Sequence, residues 1–230
     1  MAFQTSVATN PSPGIEGGFA GNNPYFSLIT PDEGMFVAGD PGPIVGKFAF
    51  ANTANGKVTS AHPGVATVRV GFLHRNHGVI ANATMLAGAS LQVLPGTPVD
   101  LSDDGTFWAR FAAGATIGHK VYASYSDGSV RSAATGSAGT ASRSVTTTNG
   151  STTISYTGGA IAAGQPISGT GIPANAYVVS VNAGAGTAVI SAAATASATV
   201  TGTVTTDYET PWSVRSTAGS GELAKISVRG

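Results

Sequence analysis

The sequence predicts an all-β protein: an antiparallel β-sandwich or barrel-like domain, an extended N-terminal arm and an inserted small β-domain. Three observations predict it. Short apolar runs rich in Val, Ile, Phe and Tyr recur about every 8–12 residues, separated by turn residues. The 32 Gly and 12 Pro are scattered without a collagen period, so they punctuate rather than repeat. The 63 residues from Ser144 to Thr206 contain no Asp, Glu, Lys, Arg or His, yet they alternate. Thr-Val-Thr-Gly-Thr-Val-Thr at 199–205 has the period-2 pattern of a half-buried strand.

The elements follow in order. Residues 1–30 read as an extended arm, because Pro11, Pro13 and Pro24 forbid a long helix. The arm nevertheless carries Phe3, Phe19, Tyr25 and Phe26, and disorder goes with low hydrophobicity. It therefore packs either on its own domain or on a neighbouring subunit. Residues 31–143 together with 205–230 form the main β-domain. Its candidate strands are 35–39, 44–50, 65–73, 80–85, 91–94, 99–101, 107–111 and 120–125, with a last strand at 226–228. A short helix over 78–86 competes with the strand at 80–85. Asp40-Pro41-Gly42-Pro43, Asp103-Asp104-Gly105 and Asp127-Gly128 mark turns, the second read as a hairpin. Residues 131–143 read as a Ser/Ala/Gly linker. Residues 144–204 form the uncharged module, with turns at 158–159, 169–173 and 183–186. Ordinary composition returns at Asp207, and the tail is too short for a domain of its own. It is expected to rejoin the first domain, which makes the module an insertion on an exposed surface.

Composition narrows the function. Charged residues are 10% of the chain, against about 25% in ordinary soluble proteins, and the formal net charge is zero. Such a chain tends to associate. It has no Lys/Arg cluster, and nucleic-acid binding needs a basic footprint. No run of 18 apolar residues marks a membrane helix. The first residues lack the basic and apolar regions of a signal peptide, so synthesis in the cytoplasm is expected. There is no cysteine for a disulfide or thiolate metal site.

No residue pattern nominates catalysis or a cofactor. His74 and His77 stand three apart, but on strand and turn and without a third ligand. Asp103 and Asp104 read as turn residues. There is no Gly-x-Ser-x-Gly elbow, no phosphate loop and no His-Glu-x-x-His. Trp108 and Trp212 are each either core filler or interface contacts, since Trp is enriched at hot spots. Catalytic, metal and cofactor-binding residues are all expected to be none.

The order of segments carries a resemblance. MAFQTSVATNPSPGIEGGFAGNNPYFS, GMFVAGDPGPIVGKFAFAN, VGFLHRNHGVIANATMLAGASLQVLPGTPVDLSDDGTFWARF, ATIGHKVYASYSDGSV and GSGELAKISVRG resemble the structural cement proteins of tailed bacteriophages. These segments cover most of 1–131 and 205–230. The module, with QPISGTGIPANAYVVSVNAGAGTAVISAA, resembles a small β-repeat of phage virion proteins and bacterial surface proteins. The resemblance implies a non-enzymatic decoration protein on the outer capsid surface. It would bridge neighbouring major capsid proteins against internal DNA pressure, with the major capsid protein and itself, as a homotrimer, for partners. Phe3, Pro11, Pro13, Phe19, Tyr25, Phe26, Trp108 and Trp212 are the expected contact residues. Neither nucleic acid nor membrane is an expected partner. A fibre or adhesin protein binding host-surface glycans through the module is the alternative; a virion hydrolase would need a carboxylate pair that the sequence does not show.

Overall fold

A computed structural model describes residues 14–22, 24–30, 34–76 and 91–229. The described residues are all-β, with seventeen strands in three sheets and no helix. The first six strands are β1 (Phe26–Ser27), β2 (Val37–Ala38), β3 (Phe48–Asn52), β4 (Lys57–Thr59), β5 (Val68–Phe72) and β6 (Ser102–Asp104). They form one sheet in the order β1-β6-β5-β3-β4-β2, antiparallel except where β2 runs parallel to β4. Next come β7 (Thr106–Phe111), β8 (Lys120–Ser124) and β9 (Val130–Ala133). Then follow β10 (Thr140–Thr147), β11 (Thr153–Thr157), β12 (Ile167–Ser168), β13 (Val178–Asn182), β14 (Thr187–Ile190) and β15 (Ala198–Thr205). The last are β16 (Asp207–Val214) and β17 (Glu222–Ser227). The second sheet has the order β7-β17-β16-β8-β9; the third keeps β10 to β15 to itself, as β12-β15-β10-β11-β14-β13.

The centre of the first sheet, β3, is buried on both faces. Period 2 sends Phe48 and Phe50 of β3 to one side and Ala49 and Ala51 to the other, and all four are fully buried. The phenylalanines meet the second sheet in a core with Phe72, Phe107, Phe111, Val121 and Trp212. Trp212 sits edge-on to Phe48 at 6.2 Å and tilted on Phe107 at 5.7 Å, geometries that suit ring quadrupoles. The alanines let Phe36, Val58, Leu73, Val93 and Leu101 approach closely in a second core. A strand covered on both faces reads as one continuous apolar run.

Several expected strands are shorter than their apolar runs. The run 44–50 becomes a strand only at Phe48, because Val45-Gly46 turns, with Gly46 at φ +86°. Residues 91–94 contribute a single bridge, Gln92 to Ile44, and 99–101 lie just outside β6. The strand or helix expected at 78–86 lies outside the described residues. Asp103-Asp104-Gly105 is not a hairpin: β6 and β7 belong to different sheets. Gly105, at φ +133°, turns the chain where an added Cβ would lie 2.7 Å from the Phe107 ring. The expected linker 131–143 is mostly strand, since β9 ends at Ala133 and β10 begins at Thr140.

The third sheet uses hydroxyls where other sheets use charges. Its exposed face carries cross-strand pairs such as Thr146 Oγ1 to Thr199 Oγ1 at 2.9 Å. Its core is small and aliphatic: Val145, Ile154, Ile167, Ile172, Val178, Ile190 and Val204, with Tyr156. Its first and last strands pair in register from Thr140↔Thr205 to Thr147↔Ala198. The Thr206 amide donates to the Gly139 carbonyl at 2.8 Å, so the chain leaves beside the point where it entered.

Candidate contact surface

The arm is built against β7. The Gly17 amide donates to the Trp108 carbonyl and the Ala20 amide to that of Thr106, both at 2.8 Å; the Trp108 amide donates to Gly18 at 2.9 Å. Residues 17–20 thus add a strand-like edge to the second sheet, which blunts an otherwise open edge. Glycine is required for this approach. A Cβ on Gly14 would lie 2.3 Å from Trp108 Nε1, and Gly17, at φ +76°, would press on Val45 and the Arg75 amide. Glu16 completes the clasp by pairing with Arg110 Nε at 2.8 Å. The described part of the arm therefore packs on its own domain.

This clasp leaves aromatic surface in solvent. Phe19 is 48% exposed, Tyr25 46% and Phe26 53%. The Phe19 ring is 5.1 Å from both Tyr25 and Phe107, and Phe107 stacks on His74 at 5.4 Å. An aromatic column thus runs from the surface through Phe107 to Trp212 in the core. Phe26 lies under the Arg229 guanidinium, 5.2 Å from its ring centroid, and Arg229 pairs with Asp104. Arg110 and Arg229 at this face are thus answered by carboxylates, while Arg75 Nε donates to the Glu16 carbonyl at 3.1 Å.

The other expected contact residues divide. Trp108 is 9% exposed, beneath Gly14 and with Lys225 Nζ 5.3 Å from its ring centroid. Trp212 is 1% exposed. In this fold both are packing residues and offer almost no surface to a partner. Phe3, Pro11 and Pro13 lie outside the described residues. Sequence reasoning missed Ile15, Ile29 and Met35, which are 59%, 79% and 68% exposed. Ile29 and Met35 border a recess of about 690 Å³ walled by Leu28, Phe36, Pro98 and Val99. Their only signal was position: large aliphatic residues beside the turn at 16–18 or the Pro-Asp-Glu-Gly sequence at 31–34.

His62 and His74 sit in packed surroundings. His74 is 4% exposed, its Nδ1 2.9 Å from Ser102 Oγ; burial lowers its pKa, against a pull from Asp100. Burial lowers His62 to about 4 and raises Tyr125 to about 12. Asp127 is held below its usual value: burial alone would raise it, but hydrogen bonds from Ser129 and Lys47 outweigh that. Burial thus sets the shifts of His62, His74 and Tyr125, and hydrogen bonds set that of Asp127. Among the described residues, no three His, Asp or Glu side chains converge as metal ligands would.

No curated protein matches the chain. A protein-family comparison matches the family described as XM1 gp53 minor capsid protein, over residues 3–162. That match takes in the arm, both sheets through β9, and β10 and β11 of the third sheet. An all-β fold of neutral composition with apolar aromatics held at its surface suits a component that works by contact. The chain belongs to the XM1 gp53 minor capsid protein family and is a structural protein of the phage virion, associated with other capsid components.

Proposed function

We propose that this minor capsid protein is a decoration, or cement, protein of the outer head surface, bridging neighbouring major capsid proteins against DNA pressure. The observation that carries the reading is the strip of half-exposed aromatics, Phe19, Tyr25 and Phe26, of which Phe19 and Tyr25 are joined to the core through Phe107. A rigid aromatic loses little entropy on binding, which is why such residues dominate interfaces. Phe3, Pro11 and Pro13 extend the same contact along a neighbouring subunit. Each contact is of ordinary size, about 800 Å² per partner. A homotrimer engages several capsid subunits at once, so later contacts form at high effective concentration and release is slow. Binding only the assembled shell stabilises it by mass action.

We further propose that residues 144–204 are an inserted unit that faces outward and is dispensable for cementing. The hydrogen-bonded pair Gly139 and Thr206 supports this, because removing 140–205 joins residues already in contact. The test is heat-induced DNA release from heads with and without the protein. Heads carrying the full chain, or the chain lacking 140–205, should release DNA at higher temperature than bare heads. Identical release from bare and decorated heads would overturn the cement reading.

A further inference from the structure

Between the body and the third sheet lies a cleft of about 410 Å³, within the size range of small-ligand sites. Tyr125, Tyr208 and His62 line it from one side, and Tyr177 and Asn175 from the other. Among the described residues no Asp, Glu, Lys or Arg lines it. We propose that this cleft is a binding site for a neutral saccharide residue.

Four observations support the assignment. Tyr125 is only 7% exposed and lines the cleft, yet among the described residues its hydroxyl makes no hydrogen bond. Tyr208, 40% exposed, stands edge-on to Tyr125 at 6.4 Å, so two differently oriented phenol rings meet at one mouth. His62 accepts a hydrogen bond at Nδ1 from the Gly64 amide at 3.0 Å, which makes Nε2 its N–H donor; burial keeps the ring neutral. Asn175 is the one non-glycine among the described residues with positive φ, at 60°, and it sits in the lining. Asn adopts this left-handed conformation readily in turns, and here it adds a carboxamide to the lining.

The chemistry selects the ligand. A pyranose ring presents slightly positive C–H bonds on one face, which suit the negative face of a phenol ring. Its hydroxyls both donate and accept, matching tyrosine hydroxyls, one imidazole N–H and one carboxamide. An anionic sugar would be desolvated here without a cation to answer it. The cleft is also preformed. A Cβ on Gly164 would lie 2.1 Å from His62 Nδ1, and one on Gly64 1.8 Å from the Val179 carbonyl, so the two bodies meet at glycines. The inference does not rest on the cement reading, since a head or a fibre component could carry the site.

The test uses the full chain, titrated with methyl glucoside, methyl galactoside and maltose, and with N-acetylneuraminate as the anionic counterpart, read by saturation-transfer NMR. At least one neutral sugar should bind saturably. Tyr208→Ala and Tyr177→Ala should each weaken it about tenfold or more, and Tyr208→Phe less, with unchanged melting temperature. Binding that the cleft variants leave unchanged, preferential binding of N-acetylneuraminate, or no binding of any neutral sugar at tens of millimolar would each overturn the proposal.

Discussion

Trp212 and Phe19 are both large aromatic residues joined through Phe107, but the fold gives them opposite duties. Trp212 fills the centre of the core, so Trp212→Ala should cost about 3–5 kcal/mol in chemical denaturation. Phe19 is half in solvent, so Phe19→Ala should cost about 1 kcal/mol or less in stability. On the cement reading, combining it with Tyr25→Ala and Phe26→Ala should weaken binding to heads at least tenfold, measured by co-sedimentation. Sequence alone could not separate these duties. Both residues are aromatic in apolar company, and exposure depends on which face a strand turns to its partner sheet. His62 makes a different prediction. Its folded pKa of about 4 lies below the ordinary 6.5, so the fold favours the neutral ring. That contribution is complete above pH 6.5 and is lost as pH falls through about 4. Melting temperature should fall across this window, and less so in His62→Gln; His74, lowered in the same direction, sustains the remaining slope.

At the scale of elements, the junction between the second and third sheets is held by polar groups. Asp207 is bonded to Arg131 Nε at 2.5 Å and accepts from the Gly139 amide at 3.1 Å. Glu209 accepts from the Tyr122 hydroxyl at 2.9 Å and the Gly136 amide at 2.8 Å. These bonds tie residues 134–139 to β16, where the sequence suggested a loose linker. Small residues read as flexible because their own side chains fix nothing; here distant carboxylates fix their backbone. Asp207→Ala should cost about 1–3 kcal/mol, because the half-buried Gly139 amide and Arg131 lose their acceptor. It should also speed proteolysis within 134–139. The alternation of β15 and the turn at 183–186 were legible, because period and glycine both act locally. The corner at Gly105 was not, because Asp-Gly chemistry is shared by hairpins and by sheet-to-sheet crossings. The arm's docking was legible only as two alternatives. Its decisive feature, Gly14 flat on Trp108, joins residues far apart in sequence.

At the scale of the molecule, the body and the third sheet divide the surface between them. The arm face offers anchored aromatics, and the third sheet offers hydroxyls. Excising residues 140–205 should leave the body folded, with the aromatic face intact and the cleft lost. The measurement that tests the central claim most directly is a cryo-EM reconstruction of the virion with this chain located in the density. The account predicts the chain on the outer shell between major capsid proteins, Phe19, Tyr25 and Phe26 at the contact and the third sheet outward. Density for the chain only at a tail, at a fibre or inside the head, or an arm face turned to solvent, would contradict it.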